Sequence, residues 1–503
     1  MTETTRRACL TLTGALPGAL LAAPAARAQA PRVLSVGVVS DPVTLDPAFS
    51  ASFFENQALY NIHETLLVAR PDGTIEPGLA TLEQPDPLVW RFVLREGLTF
   101  HDGTPLDAAA AKASLDRYLD PAIGSLRRAE FGPIEGVHVT GPRSFELRYS
   151  APFAPLPAVL TNRAGMIVSP AAVQALGPDF AARAVGCGPY RVASWTRNSE
   201  LVLERFPGYW RGGQAFDRIV LRPMPDETVR LANLRSGTLQ LIDGVPPQQV
   251  AALARESGIR VSQIPTLGFT GHSFNCTRAP FNDLRVRQAF AAAVDREVIH
   301  RVVYFGTGRP GVGPLSPSVA WAFDGAVQAP RPNLERARAL LREAGHSAAV
   351  PVAITVTNSP LQVRIAEILQ AQANAAGFAA TIRQIDPASL ITVLRQRDFD
   401  LCMSPWSGRF DPDGNMFVYF TRGGPNNFPG WDNEEVTRML GEARRTSDRA
   451  ERVRLYHAAQ RIILAEQPLL FLYHESVIQA SSARLSWTQL PDAVFRLHDA
   501  RMG

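Results

Sequence analysis

A chain of 503 residues, 46% hydrophobic and 19% charged, can bury more than one core, since a single core seldom grows past ~250–300 residues. Its formal charge of +4 is scattered without runs of one sign, which argues against nucleic acid or an anionic membrane surface as a partner. Lys112, the sole lysine, sits in Ala-Ala-Ala-Lys-Ala, so the chain offers neither the Gly-Lys-Ser/Thr of a phosphate-cradling loop nor, with Ala109 in the serine position, Ser-x-x-Lys acyl transfer.

The first residues read as an export leader. Arg6 and Arg7 give a basic start, Ala8 to Ala23 an apolar stretch, and Ala26-Arg27-Ala28 a small-x-small cleavage step, so residues 1–28 are expected to be removed on export by the twin-arginine or the general route. Cys9 lies at the start of the apolar stretch, where a lipid-accepting cysteine would follow it, which argues against a lipid anchor there. Cys187, Cys276 and Cys402 then remain, with no Cys-x-x-Cys spacing; buried free thiols are expected, one disulfide being the alternative.

In chain order, Leu34–Val39 reads as a first strand ending at Ser40-Asp41-Pro42, and Trp90–Phe100 as a strand closed by the His101-Asp102-Gly103 turn. A helix follows Pro105, with Leu115 and Leu119 one turn apart. Val286, Phe290, Val294 and Val298 mark one amphipathic helix. Gly306-Thr307-Gly308-Arg309-Pro310-Gly311 has the letters of a dinucleotide fingerprint but follows a helix instead of a strand, so no nucleotide site is expected. The clearest alternation begins at Asn333, a cap for a helix carrying Leu334, Ala337, Leu340 and Leu341 and stopped by Gly345. Strand Val352–Thr357, helix Gln362–Ala376, strand Phe378–Ile382, helix Leu390–Leu394 and strand Phe399–Met403 continue it, predicting βαβ crossovers in a largely parallel sheet. A late helix through Leu455, Ala459 and Ile462 closes at Pro468.

Ligands of such sheets bind beyond the carboxyl ends of strands, and Trp406 and Arg409 lie just past one. Phe53, Phe54, Tyr209, Trp210, Phe410, Tyr419, Phe428 and Trp431 are further candidates for apolar walls, with Asp411, Asn426 and Asn427 as orienting polar groups. The nine histidines form no His-Glu-x-x-His pattern, and His272 with Cys276 lacks further ligands, so no metal and no cofactor are expected. Asp411 and Asp413 are the carboxylates an exported hydrolase would use, the competing reading.

Several stretches together resemble the extracytoplasmic solute-binding proteins of family 5, the peptide-, nickel- and opine-binding components of ABC importers. They are Asp41-Pro42 with Leu45-Asp46-Pro47, Leu94 through Leu106, Gly186-Cys187-Gly188-Pro189-Tyr190, Arg205 through Trp210, and Asn275 leading to Pro280 through Ala289. The resemblance implies an α/β, two-lobed periplasmic binding protein fold, class II-like, with an extra domain inserted in the first lobe: 29–68, 186–270 and 471–503 in lobe I, 69–185 inserted, 271–470 in lobe II. It further implies a monomer without enzymatic activity, located in the periplasm, that closes about a hinge on a small molecule and delivers it to an inner-membrane permease; a periplasmic receptor on the same fold is the other alternative. Peptide binders of the family carry an aspartate three residues after this tryptophan, where it meets the ligand's ammonium; here Arg409 stands there, which favours a peptide-like or opine-like solute with an anionic group. The expected ligand contacts are Trp406, Arg409, Phe53, Phe54, Asp411 and Asn427.

Overall fold

The computed structural model describes residues 31–503; the leader expected at 1–28, Cys9 included, lies outside the described residues. The first strand, Val33–Val38, pairs in parallel with Arg218–Pro223 on one side and Leu241–Ile242 on the other. Around it stands a seven-stranded sheet in the order Ile259–Pro265, Ser476–Ser482, Leu241–Ile242, Val33–Val38, Arg218–Pro223, Glu200–Arg205, Tyr190–Thr196. Its buried face holds Leu34, Val36, Val38, Leu201, Leu203, Ile219 and Leu221, the period-two burial that a half-covered strand imposes.

A second sheet of six strands runs Arg309–Pro310, Leu469–His474, Thr270–Phe274, Leu401–Met403, Val350–Thr357, Phe378–Ile385. Only the last three are mutually parallel. The largely parallel sheet expected from the βαβ stretch is therefore corrected to a mixed one: Thr270–Phe274 and Leu469–His474 pair antiparallel and lie outside the stretch whose helical crossovers a parallel pairing requires. The helices that do cross over form where local chemistry sets them. Asn333 caps Leu334–Glu343 by accepting from Arg336 N at 2.8 Å, and Ala337, Leu340 and Leu341 are buried. Ser359 caps Pro360–Ala376, which ends at Gly377 with φ +110°.

The single helix expected through Val286–Val298 is two, Leu284–Ala293 and Arg296–Val302. Asp295 breaks it by accepting from Glu297 N and Val298 N at 3.0 and 3.3 Å, a cap that restarts the helix with the apolar period intact. The strand expected over Trp90–Phe100 stops at Leu94, and the chain then turns, with Gly97 at φ +69°.

That strand belongs to a third sheet, Ala80–Asp86, Val89–Leu94, Ser144–Tyr149, Ile134–Val139, packed under helix Ala108–Leu119 with a core of its own. Phe92 and Phe145 stack across it at 5.1 Å. The Gly-Cys-Gly-Pro-Tyr stretch joins this sheet's turn to the first lobe: His101 N donates to Gly186 O at 2.9 Å, and a Cβ on Gly186 or Gly188 would sit 2.3 or 2.7 Å from Ile62 O.

Two short segments connect the seven-stranded and six-stranded sheets. One is Thr266–Phe269, between strands Ile259–Pro265 and Thr270–Phe274; the other is Glu475, between Leu469–His474 and Ser476–Ser482. Thr266 N donates to Glu475 O at 2.8 Å, and the His474 ring bonds Gly268 O at 2.9 Å. Burial holds His474 down to about 4, so its imidazole is neutral at physiological pH. Because 471–474 pair within the six-stranded sheet, the passage between sheets falls at Glu475 and not at the expected 471.

Candidate functional site

Where the two crossing segments meet, a cleft of about 710 Å³ opens between the lobes, within the ~300–1,000 Å³ of small-molecule sites. From the first lobe, Phe53 and Phe54 enter its wall, edge to face at 5.8 Å. The loop carrying them is pinned: Glu55 accepts from Ser50 Oγ at 2.6 Å and Ser52 N at 2.9 Å, while the Arg163 guanidinium donates to Ser50 O and Ser52 O. Both rings are thereby held half-exposed toward the cleft, ready to bury apolar ligand surface.

From the second lobe comes Trp406, just past strand Leu401–Met403. It exchanges backbone bonds with Phe269 at 2.8 and 3.0 Å, and its Nε1 donates to Asn415 Oδ1 at 2.9 Å. Gly268 makes this approach possible, because a Cβ there would lie 1.7 Å from Trp406 O. Arg409 stands beside the cavity and not in its wall. Its guanidinium lies 4.6 Å from the Trp406 ring centroid and donates to Gly408 O at 2.7 Å. It is paired with no carboxylate among the described residues, and it occupies one face of the indole.

Asp411 and Asn427 are placed elsewhere, which corrects their expected position at the ligand. Asp411 is buried and accepts from Arg452 Nη2 at 2.6 Å and from Asp413 N at 2.9 Å, anchoring the start of helix Asp413–Phe420. Asn427 donates to Thr421 O at 3.0 Å and Trp431 O at 2.7 Å, closing the loop after that helix. Asp413 is held by Arg444 through two bonds of 3.0 Å, so the carboxylates of the hydrolase reading are both engaged by arginines. Tyr419, Phe428 and Trp431 belong to the second lobe's core, and Trp210 lies under Arg95.

Sequence reasoning missed the cleft's own polar groups. Asp243, just past strand Leu241–Ile242, lines the wall at only 3% exposure. Its Oδ2 accepts from Gln57 Nε2 at 3.3 Å, its Oδ1 has no partner, and burial pushes the carboxyl up to about 6. Glu475 lines the same wall; its Oε1 accepts from the Thr270 hydroxyl, and enclosure between the lobes raises its carboxyl too. Asp492, also in the wall, is compensated by Arg496 at 2.6 and 2.9 Å. A signal for Asp243 existed: it follows an apolar strand as Trp406 does. For Glu475 the signal was its isolation, the only carboxylate or arginine in the run from Gln467 to Ala483.

Among the described residues, no group of three or more His, Cys, Asp and Glu side chains could hold a metal ion, and no helix is long and apolar enough to cross a membrane. Cys187, Cys276 and Cys402 are free thiols, and burial pushes Cys276 to about 11 and Cys402 to about 12.

Two α/β lobes joined by a pair of short crossings, with an aromatic-walled cleft at the junction, define a hinged solute-binding protein. Residues 74–428 match the bacterial extracellular solute-binding proteins, family 5, middle region, and the chain belongs to that family. It is 29% identical over 495 residues to the glutathione-binding protein GsiB of Escherichia coli O1:K1, covering 94% of this chain and 95% of the relative. Among solved structures it resembles DppA from Helicobacter pylori in complex with the peptide STSA, at a TM-score of 0.83 and 23% identity over 93% of this chain and 98% of that one. AgaA from Agrobacterium tumefaciens R10 in complex with agropinic acid superposes at 0.82 with 27% identity over 94% and 99%. These relatives bind solutes; the two-lobed fold and the solute-binding function expected from the sequence stand.

Proposed function

We propose that the protein is the periplasmic, monomeric capture component of an ABC importer for a peptide-like solute bearing an anionic group, without chemistry of its own. The observation that carries this is the interlobe cleft, lined by Phe53 and Phe54 from one lobe and Trp406 from the other, the kind of wall that closure about a hinge would bring onto a ligand. The relatives whose printed names include a glutathione binder, a peptide complex and an agropinic acid complex support a small amphoteric or acidic ligand. Arg409, an arginine beside the cleft with no carboxylate partner among the described residues, is the group that would meet the ligand's anion. The engagement of Asp411 and Asp413 by Arg452 and Arg444 supports binding over hydrolysis.

Calorimetric titration of the protein lacking residues 1–28 against glutathione, trialanine and acidic dipeptides tests this. The expected result is saturable one-site binding of at least one probe, recovered unchanged by mass spectrometry. Cleavage of the probe, or no binding by any, overturns the reading.

A further inference from the structure

Several buried or half-buried carboxylates in this protein are paired with an arginine. Asp411 has Arg452, Asp413 has Arg444, Asp492 has Arg496, and Asp46 has Arg117. Glu55, Glu64, Asp243 and Glu475 have no arginine partner, Glu55 and Glu64 being held by hydroxyls and backbone N–H groups, and of these four only Asp243 and Glu475 line the cleft. The adjacent Arg230 guanidinium hydrogen-bonds main-chain oxygens, donating to Pro225 O at 2.9 Å, Gly244 O at 3.0 Å, Asp243 O at 3.3 Å and also Met224 O, and its charge offsets the burial of the Asp243 carboxylate only in part. Asp243 Oδ1 is left without any partner while 97% of the residue is shielded from solvent, and Glu475 has only a neutral hydroxyl on Oε1. The remaining charged groups in the wall, Glu227 at the exposed rim and the paired Asp492, are acidic as well; no basic side chain enters it.

A carboxylate enclosed in low-dielectric surroundings without an ion-pair partner is unfavourable, and an arriving cation relieves it. Two of them on one wall, one from the first lobe and one from the crossing between lobes, make an arrangement that a charged donor completes. We propose that Asp243 and Glu475 form a cation subsite that takes a primary ammonium of the captured solute. This rests on the peptide-like ligand reading above and deepens it: with Arg409 meeting an anion, the solute is amphoteric, and its ammonium contacts the wall formed by the first lobe and the crossing instead of the loop after Trp406. The ammonium pairs with the Asp243 and Glu475 carboxylates, and the Asp243 carboxyl, held up by burial, is brought back to full ionisation by the incoming charge.

The test is a calorimetric comparison of trialanine with N-acetyl-trialanine, in which an uncharged acetamide replaces the ammonium, on the wild type, Asp243→Asn and Glu475→Gln, each first confirmed folded by its melting curve. The wild type should prefer the free amine by about 10–100-fold, the range of a charge-assisted hydrogen bond, and either variant should shrink that preference toward unity. A general loss of folding or closure would weaken both probes equally, so the ratio isolates the subsite. Equal binding of both probes by the wild type, or an undiminished preference in both variants, overturns the subsite while leaving the peptide-like reading intact. Binding of neither probe overturns the subsite, and the peptide-like reading falls with it only if glutathione and the acidic dipeptides also fail to bind.

Discussion

Asp243→Asn removes a charge that the folded protein accommodates poorly, so this substitution should raise stability. The carboxyl moves from 3.8 to about 6 on folding; at about 1.4 kcal/mol per tenfold change in proton affinity, that corresponds to about 3 kcal/mol of destabilisation once the group is ionised in both states. The sign follows from the direction. Below pH ~4 folded and unfolded chains both hold the proton and nothing is lost. Between there and pH ~6 the unfolded chain gives up its proton while the folded chain keeps it, so stability falls as pH rises, and above that the full penalty is present. An asparagine keeps the volume and can still accept from Gln57 while carrying no charge. Melting temperatures of wild type and variant, measured without ligand from pH 4 to 8, should therefore nearly coincide at the acid end and diverge toward pH 8 with the variant higher. A variant that melts lower than wild type at pH 8, or by the same margin at every pH, would refute the claim that the carboxylate is uncompensated.

Other perturbations probe the rest of the site and its supports. Asp411→Ala strands the Arg452 guanidinium in the second lobe's interior and should destabilise by about 3–5 kcal/mol, read as a melting temperature far below wild type; near-wild-type melting would show the pair to be dispensable. Arg409→Ala should weaken an acidic probe such as glutathione about 10-fold or more while sparing a probe amidated at its carboxyl terminus, and equal losses for both would assign Arg409 to packing on Trp406 alone. Trp406→Ala should weaken every ligand by calorimetry with little change in melting of the free protein, since the indole is only partly buried; unchanged affinity would remove it from the binding wall. Gly268→Ala forces a methyl to within 1.7 Å of Trp406 O and should lower both melting temperature and affinity, whereas wild-type behaviour would show that the crossing can shift to accommodate it.

Elements with local causes were legible in the sequence. The Asn333 cap, the glycine stop at Gly377 and the apolar periods of the βαβ stretch all act within a few residues, and each stands where the pattern put it. Features set by distant partners were not. Asp411 looked like a ligand group because a polar residue after a strand end reads the same whether it faces a cleft or an arginine, and Arg452 is 41 residues away. Asn427 was misplaced for a related reason: its amide closes a loop through carbonyls that no periodicity locates. Asp243 and Glu475 escaped notice because their importance lies in a missing partner, and absence of a counter-charge is visible only once the neighbours are assembled. The break at Asp295 shows a smaller version of the problem, a cap residue hidden inside a continuous apolar period.

The backbone bond between Thr266 and Glu475 ties the two crossings into one narrow waist, and any rotation of one lobe against the other must turn about it. Points on a turning axis stay still while points far from it sweep through arcs, so the Glu475 carboxylate keeps its place relative to both lobes whether the jaws stand apart or together. Phe53 and Phe54, carried on a loop of the first lobe, move with that lobe. A solute arriving in the open protein therefore meets a stationary charge at the back of the mouth before the aromatic rings reach it, which orders the encounter: orientation is set at the waist, and the apolar walls then lock a ligand already facing the right way.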